Sequence, residues 1–96
     1  MAIHIPWDDY EIALLFDKYR EMDGGKSLKQ AANELSEQLR LKATRAGIEI
    51  DDKFRNAAGM TFYLLNAKYL FTNGESGKSE VQKSVVHLYQ VMQENP

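Results

Sequence analysis

Four times along this chain a residue suited to capping a helix is followed by apolar side chains three and four positions apart. Asp8, with Glu11 three residues later, precedes Ile12, Leu15, Phe16 and Tyr19. Ser27, with Gln30 three residues later, precedes Leu28, Ala31, Ala32, Leu35, Leu39 and Ala43. Asn56 precedes Met60, Leu64, Ala67 and Phe71; Ser79 and Gln82 accompany Val81, Val85, Leu88, Tyr89 and Met92. A capping oxygen satisfies backbone N–H groups that a helix start leaves open, and the spacing gives each helix one apolar stripe. Asp23-Gly24-Gly25, Gly47 and the polar run 72–78 punctuate the pattern. The expectation is an all-α, four-helix compact domain spanning 1–96, with helices at about 8–22, 27–46, 56–71 and 79–93. The first three form a tri-helical, helix-turn-helix-like arrangement and the fourth packs across them. Ile48 and Ile50 alternate as a strand would, but no partner strand follows.

At 96 residues and 44% apolar composition the chain can build one core, but not a core plus a deep cavity. It has no cysteine, which excludes disulfides, thiolate metal sites and thiol catalysis. His4 and His87 are its only histidines. No apolar run reaches the ~18 residues of a membrane span, and the N-terminus lacks the basic and apolar regions of a signal peptide. A cytoplasmic location, no membrane, no cofactor and no metal are the expectations.

The net charge of −2 hides strong segregation. Residues 1–25 carry a net −4 and residues 48–52 a net −3, whereas 26–47 and 53–72 each carry +3. Basic helical segments therefore lie beside acidic ones.

No complete catalytic constellation is present. Gly74-Glu75-Ser76-Gly77-Lys78-Ser79 approaches a phosphate-binding loop, but Thr72 stands where that pattern needs glycine, and no sheet lies behind it. A flexible, polar loop between helices is the simpler reading. Asp8-Asp9 and Asp51-Asp52 sit where helical segments begin, so capping explains them; Asp51 or Asp52 suits a short turn through Phe54. Trp7 reads as a core anchor rather than a stacking platform, Tyr10, Tyr63 and Tyr69 as residues at the margin of the core, and His87 as a margin or surface residue.

Arg55 has two readings. It can meet a phosphate at the positive end of the third helix, with Lys53 nearby. It can equally pair with acids of the first helix, such as Asp9 or Asp17, and lock the bundle. Asn56 reads chiefly as the cap of the third helix. Gly59 permits close backbone approach there.

Trp7, Glu11 and the Leu15–Tyr19 spacing resemble the opening helix of Myb/SANT-like tri-helical domains. Phe54-Arg55-Asn56-x-x-Gly59, followed by Leu64-Leu65-Asn66, resembles the signature of a bacterial helical domain found N-terminal to HNH-type restriction endonucleases and related DNA-processing proteins. The resemblance runs from Trp7 to the final helix. It implies a non-catalytic, DNA-associated accessory domain of a restriction or phage-defence type protein, in which Arg55, Asn56 and Gly59 matter most. Double-stranded DNA and a fused or partner nuclease or helicase domain are the implied partners. Lys53, Arg55 and Asn56 would then approach the phosphate backbone, helped by Arg40, Lys42 and Arg45. A protein-interaction or dimerisation module, in which the chain forms a homodimer, is the alternative, favoured by the acidic first helix and the negative net charge.

Overall fold

The computed structural model describes residues 6–94; His4 and the other residues of the N-terminal reading lie outside them. Four helices follow in order: α1 (Asp9–Asp23), α2 (Leu28–Arg45), α3 (Ala57–Phe71) and α4 (Lys83–Glu94). No strand occurs among the described residues, so Ile48 and Ile50 sit in a plain connection.

The caps explain the starts. At α1 the Asp8 carboxylate accepts from the Glu11 N–H at 2.8 Å, and the Glu11 carboxylate accepts from the Asp8 N–H at 3.1 Å. Both halves of the expected capping box are present. At α2 only one half forms: Ser27 Oγ accepts from the Gln30 N–H, while the Gln30 side chain turns to Glu34. At α3 the Asn56 side chain accepts from the Gly59 N–H at 2.8 Å. After α2, Gly47 takes φ +77° and the Ile48 N–H reaches back to the Ala43 carbonyl. Those two features end the helix as the lone glycine suggests.

α1, α2 and α3 pack against one another around Ile12, Leu15, Phe16, Leu35, Met60 and Leu64. α4 adds Val85 and the ring of Tyr89, which meets Phe16 and Phe71 edge-on, while Phe71 stacks on Tyr19 at 5.0 Å. Aromatic pairs of this kind contribute about 0.5–1.5 kcal/mol each beyond area burial. One aromatic cluster thus joins three helices.

α4 begins four residues later than expected, and Ser79 and Gln82 do not act as its caps in the expected way. The cause is the preceding loop, which is held down rather than free. Lys78 donates its N–H to the Leu65 carbonyl at 3.0 Å, and buried Asn66 donates Nδ2 to the Lys78 carbonyl at 3.0 Å. Gln82 then donates to the Tyr63 hydroxyl at 2.6 Å. Residues 79–82 form a strap over α3, and helix begins only beyond it. This also removes the phosphate-loop reading. The N–H groups of Gly74, Ser76 and Lys78 donate to Tyr69, Thr72 and Leu65, so they do not converge on an anion.

The α1–α2 junction is polar. Lys18, with its side chain only 7% exposed, meets Glu21 at 3.1 Å and Glu34 at 3.2 Å, and Lys26 joins both acids. The hydrogen bond from Lys26, reinforced by Lys18, pulls the Glu34 carboxyl down to about 2 from its ordinary 4.5. A depressed carboxylate stabilises the fold fully above its unfolded value. That contribution disappears as pH falls from 4.5 toward 2. Stability measured against pH should therefore drop across this window, and Glu34→Gln should flatten the drop there.

Gly77 has φ +101°, and a Cβ at that position would sit 2.3 Å from the Leu65 carbonyl oxygen. Gly77→Ala should cost on the order of 2–3 kcal/mol from strain and clash together. A thermal melt should show it as a lowered midpoint.

Candidate functional site

The site expected from the sequence centres on Arg55, so its surroundings decide what the surface can do. The 51–54 turn that delivers it is built by Asp51, whose side chain accepts the N–H groups of Lys53 and Phe54 at 3.0 and 2.9 Å. This is the short capped turn anticipated there. Arg40 of α2 fixes the same turn by donating to the carbonyls of Asp51 and Phe54 at 3.0 and 2.5 Å. Arg55 itself takes φ +47°, the left-handed region that β-carbon-bearing residues seldom occupy. Asn56 then returns the chain to extended geometry and caps α3.

The left-handed step turns the Arg55 guanidinium inward. Its Nε donates to Glu11 Oε2 at 3.0 Å and its Nη2 to Glu11 Oε1 at 3.3 Å. The two side chains are 9% and 7% exposed. The guanidinium carbon lies 4.7 Å from the Trp7 ring centre and 4.6 Å from that of Phe54. Trp7 in turn packs on Tyr63 of α3 with ring centres 4.5 Å apart. Burial pushes the Tyr63 hydroxyl above its usual range, against the opposing pull of the Arg55 charge.

The expectation that Arg55 stands open to an anion is therefore corrected. Of its two readings, the lock to the first helix is the one formed, with Glu11 as partner instead of Asp9 or Asp17. The reason is geometric. Glu11 already turns back toward Asp8 for the capping box, which presents both its oxygens to the Arg55 fork. Asp17 instead pairs with Arg20 on the outer face of α1.

The other expected residues divide. Asn56 is half-buried, with its amide oxygen engaged in the cap. Gly59 supplies the N–H that the cap accepts, and a Cβ there would sit 3.1 Å from Asn56 Oδ1, a tight approach. Arg40 is half-buried against the turn. Lys53, Lys42 and Arg45 are exposed. Lys42 pairs with Asp8 at 3.2 Å and lies 5.5 Å from the Tyr10 ring centre. The expected residues therefore do not form one basic surface. Four of them, Arg40, Arg55, Asn56 and Gly59, build the joint between α1, α2 and α3, and three remain available to solvent.

Tyr10 was expected at the core margin, but it is 60% exposed. With Leu41, 46% exposed, it lines a shallow groove of about 510 Å³ between α1 and α2, together with Leu14, Gln38, Lys42 and Arg45. Helical spacing places Leu41 on the outward face of α2, opposite Leu39 and Ala43. That break in the stripe was the available signal, and sequence reasoning missed it.

Among the described residues no group of three or more histidines or carboxylates is arranged to hold a metal ion, and no helix is long and apolar enough to cross a membrane. His87 is exposed on α4. No known family model, no curated protein and no solved structure matches this chain.

Breaking a buried ion pair from one side leaves an uncompensated charge, at a cost of about 3–5 kcal/mol. Arg55→Ala and Glu11→Ala should each destabilise the fold by that order in chemical denaturation. Arg55→Lys should recover little, because an ammonium cannot match both carboxylate oxygens and stack on Trp7 as a planar fork does.

Proposed function

We propose that this chain is a non-catalytic accessory domain of a bacterial restriction or phage-defence type protein, and that it works by docking a protein partner. The resemblance carried by Trp7, Glu11 and the Phe54–Gly59 run supports that setting. The observation that carries the docking mode is the contrast between two surfaces. Two of the cations expected to meet phosphate around the start of α3 are turned inward, Arg55 to Glu11 and Arg40 to the 51–54 turn, while Lys53 stays exposed. The α1–α2 groove instead leaves Tyr10 and Leu41 uncovered, with Lys42 and Arg45 on its rim. Exposed aromatic and aliphatic side chains flanked by cations suit a protein surface that brings apolar anchors and carboxylates.

Five of the carboxylates in the described residues are taken up by the fold itself. Asp8, Glu11 and Asp51 are engaged in caps and turns, and Glu21 and Glu34 are bound to Lys18 and Lys26. Each therefore has a structural duty.

A photo-cross-linker in place of Leu41, expressed in the native cell, tests the docking reading. It should capture a defined protein adduct, and one in place of exposed Lys29 on the same helix should not. Equal capture at the two positions, or none at Leu41, would defeat the reading.

Duplex DNA is the second reading, favoured by exposed Lys53 and by Arg45, which makes no ion pair among the described residues. With so few cations the dependence of affinity on salt would be shallow, at a log–log slope of about −1 to −2. Lys53→Ala would reduce that slope by about one. A labelled duplex that fails to bind at low salt would remove this reading.

A further inference from the structure

The groove also indicates what covers it. α1 and α2 run antiparallel, because Asp8 lies beside Lys42 and Lys18 beside Glu34. Their outward faces form one strip with unlike ends. One end holds Tyr10, Leu41, Lys42 and Arg45. The other holds exposed Asp17 and Glu37. Asp17 follows Tyr10 by seven residues and Glu37 precedes Leu41 by four, so helical periodicity keeps them on the same outward faces. At that end Lys18 and Lys26 are bound to Glu21 and Glu34 and Arg20 is bound to Asp17, while at the other end Lys42 is bound to Asp8, which leaves Glu37 and Arg45 as the strip charges with no ion pair among the described residues.

We propose that this strip binds a second copy of the chain about a two-fold axis; this rests on the groove being a docking surface. In a two-fold contact each residue that meets a second residue is met in return by the same pair. An axis crossing the strip between Tyr10 and Leu14 reverses its direction. It lays Tyr10 and Leu41 of one copy over Leu14 and Gln38 of the other. It also brings Arg45 of each copy toward Glu37 of the other, twice by symmetry. The strip is thus complementary to itself in charge and continuous in its apolar centre.

Helices of 15 and 18 residues are about 22 and 27 Å long, and only part of each faces outward. A contact of this extent belongs to the small class, below about 1,200 Å² in total. The dimer is reversible and grows with concentration, unlike an obligate one.

Sedimentation velocity on the full chain, from low to high micromolar concentration, tests this. The mean mass should climb toward that of a dimer as concentration rises. Leu41→Glu should weaken the association by about tenfold or more while circular dichroism stays unchanged, because the residue is exposed. Arg45→Glu should weaken it, and Arg45→Glu combined with Glu37→Arg should restore it, since the pair is then reversed in both copies. Glu37→Arg alone should also weaken it, whereas a general effect of charge would strengthen association, because that variant brings a net charge of −2 to zero. A chain that stays monomeric throughout overturns the proposal. Cross-linking of a different protein through position 41 would then leave the docking reading standing, with another occupant. Association that ignores Leu41→Glu and Arg45→Glu puts the interface elsewhere and overturns the proposal as well.

Discussion

Glu11 holds the structure together by acting in two directions at once. Toward its own helix it accepts the Asp8 N–H and closes the start of α1. Across the fold it takes both arms of the Arg55 fork. The Arg55 guanidinium carbon lies 4.7 and 4.6 Å from the ring centres of Trp7 and Phe54, and its burial there strengthens a cation–π contact to about 2 kcal/mol. The position of α3 follows from the ion pair. Arg55 lies one residue before the Asn56 cap, so fixing the guanidinium fixes where and in which direction α3 begins. The positive φ of Arg55, a strain on the order of 1 kcal/mol, persists because the ion pair outweighs it.

Local physics made most of the helices readable. Asp8, Ser27 and Asn56 each cap the helix they precede, because a cap needs only a side-chain oxygen and a few residues of chain. The start of α4 was misread because Ser79 and Gln82 satisfy the same local pattern while distant partners override it. Asn66 and Leu65 hold Lys78, and Tyr63 holds Gln82, across 12 to 19 residues of sequence. The candidate site failed in the same way. Arg55 and Glu11 are 44 residues apart, and no periodicity links them. Their charges invite a pair, yet Asp9 and Asp17 were equally eligible by composition. Only the fold shows that Glu11 alone has a carboxylate already bent toward the bundle's interior.

The short signature that gave rise to the resemblance has a physical account on this chain. Phe54 and Trp7 pack against Arg55, Asn56 caps α3, and the missing side chain of Gly59 leaves room for the Asn56 oxygen. Leu64 is in the core and Asn66 anchors the loop after α3. Each named position has a structural duty at the joint of three helices. On this chain the pattern marks an architecture, and the exposed groove between α1 and α2 lies outside it.

That separation bears on where binding can occur. A chain of this size leaves a large share of its apolar surface outside the core, so single exposed apolar residues carry little meaning. Tyr10 and Leu41 differ because they adjoin each other across two helices and share a rim of cations. Covering them costs little conformational entropy, since both sit on helices whose backbones are already ordered by caps and core packing. The α3 start, by contrast, would have to break the Arg55–Glu11 pair before offering its guanidinium to any ligand. That loss, about 3–5 kcal/mol for a buried pair, exceeds what one phosphate contact returns. The free energy of the joint therefore argues against the signature residues as a recognition surface, which supports the proposal that binding lies on the outer faces of α1 and α2.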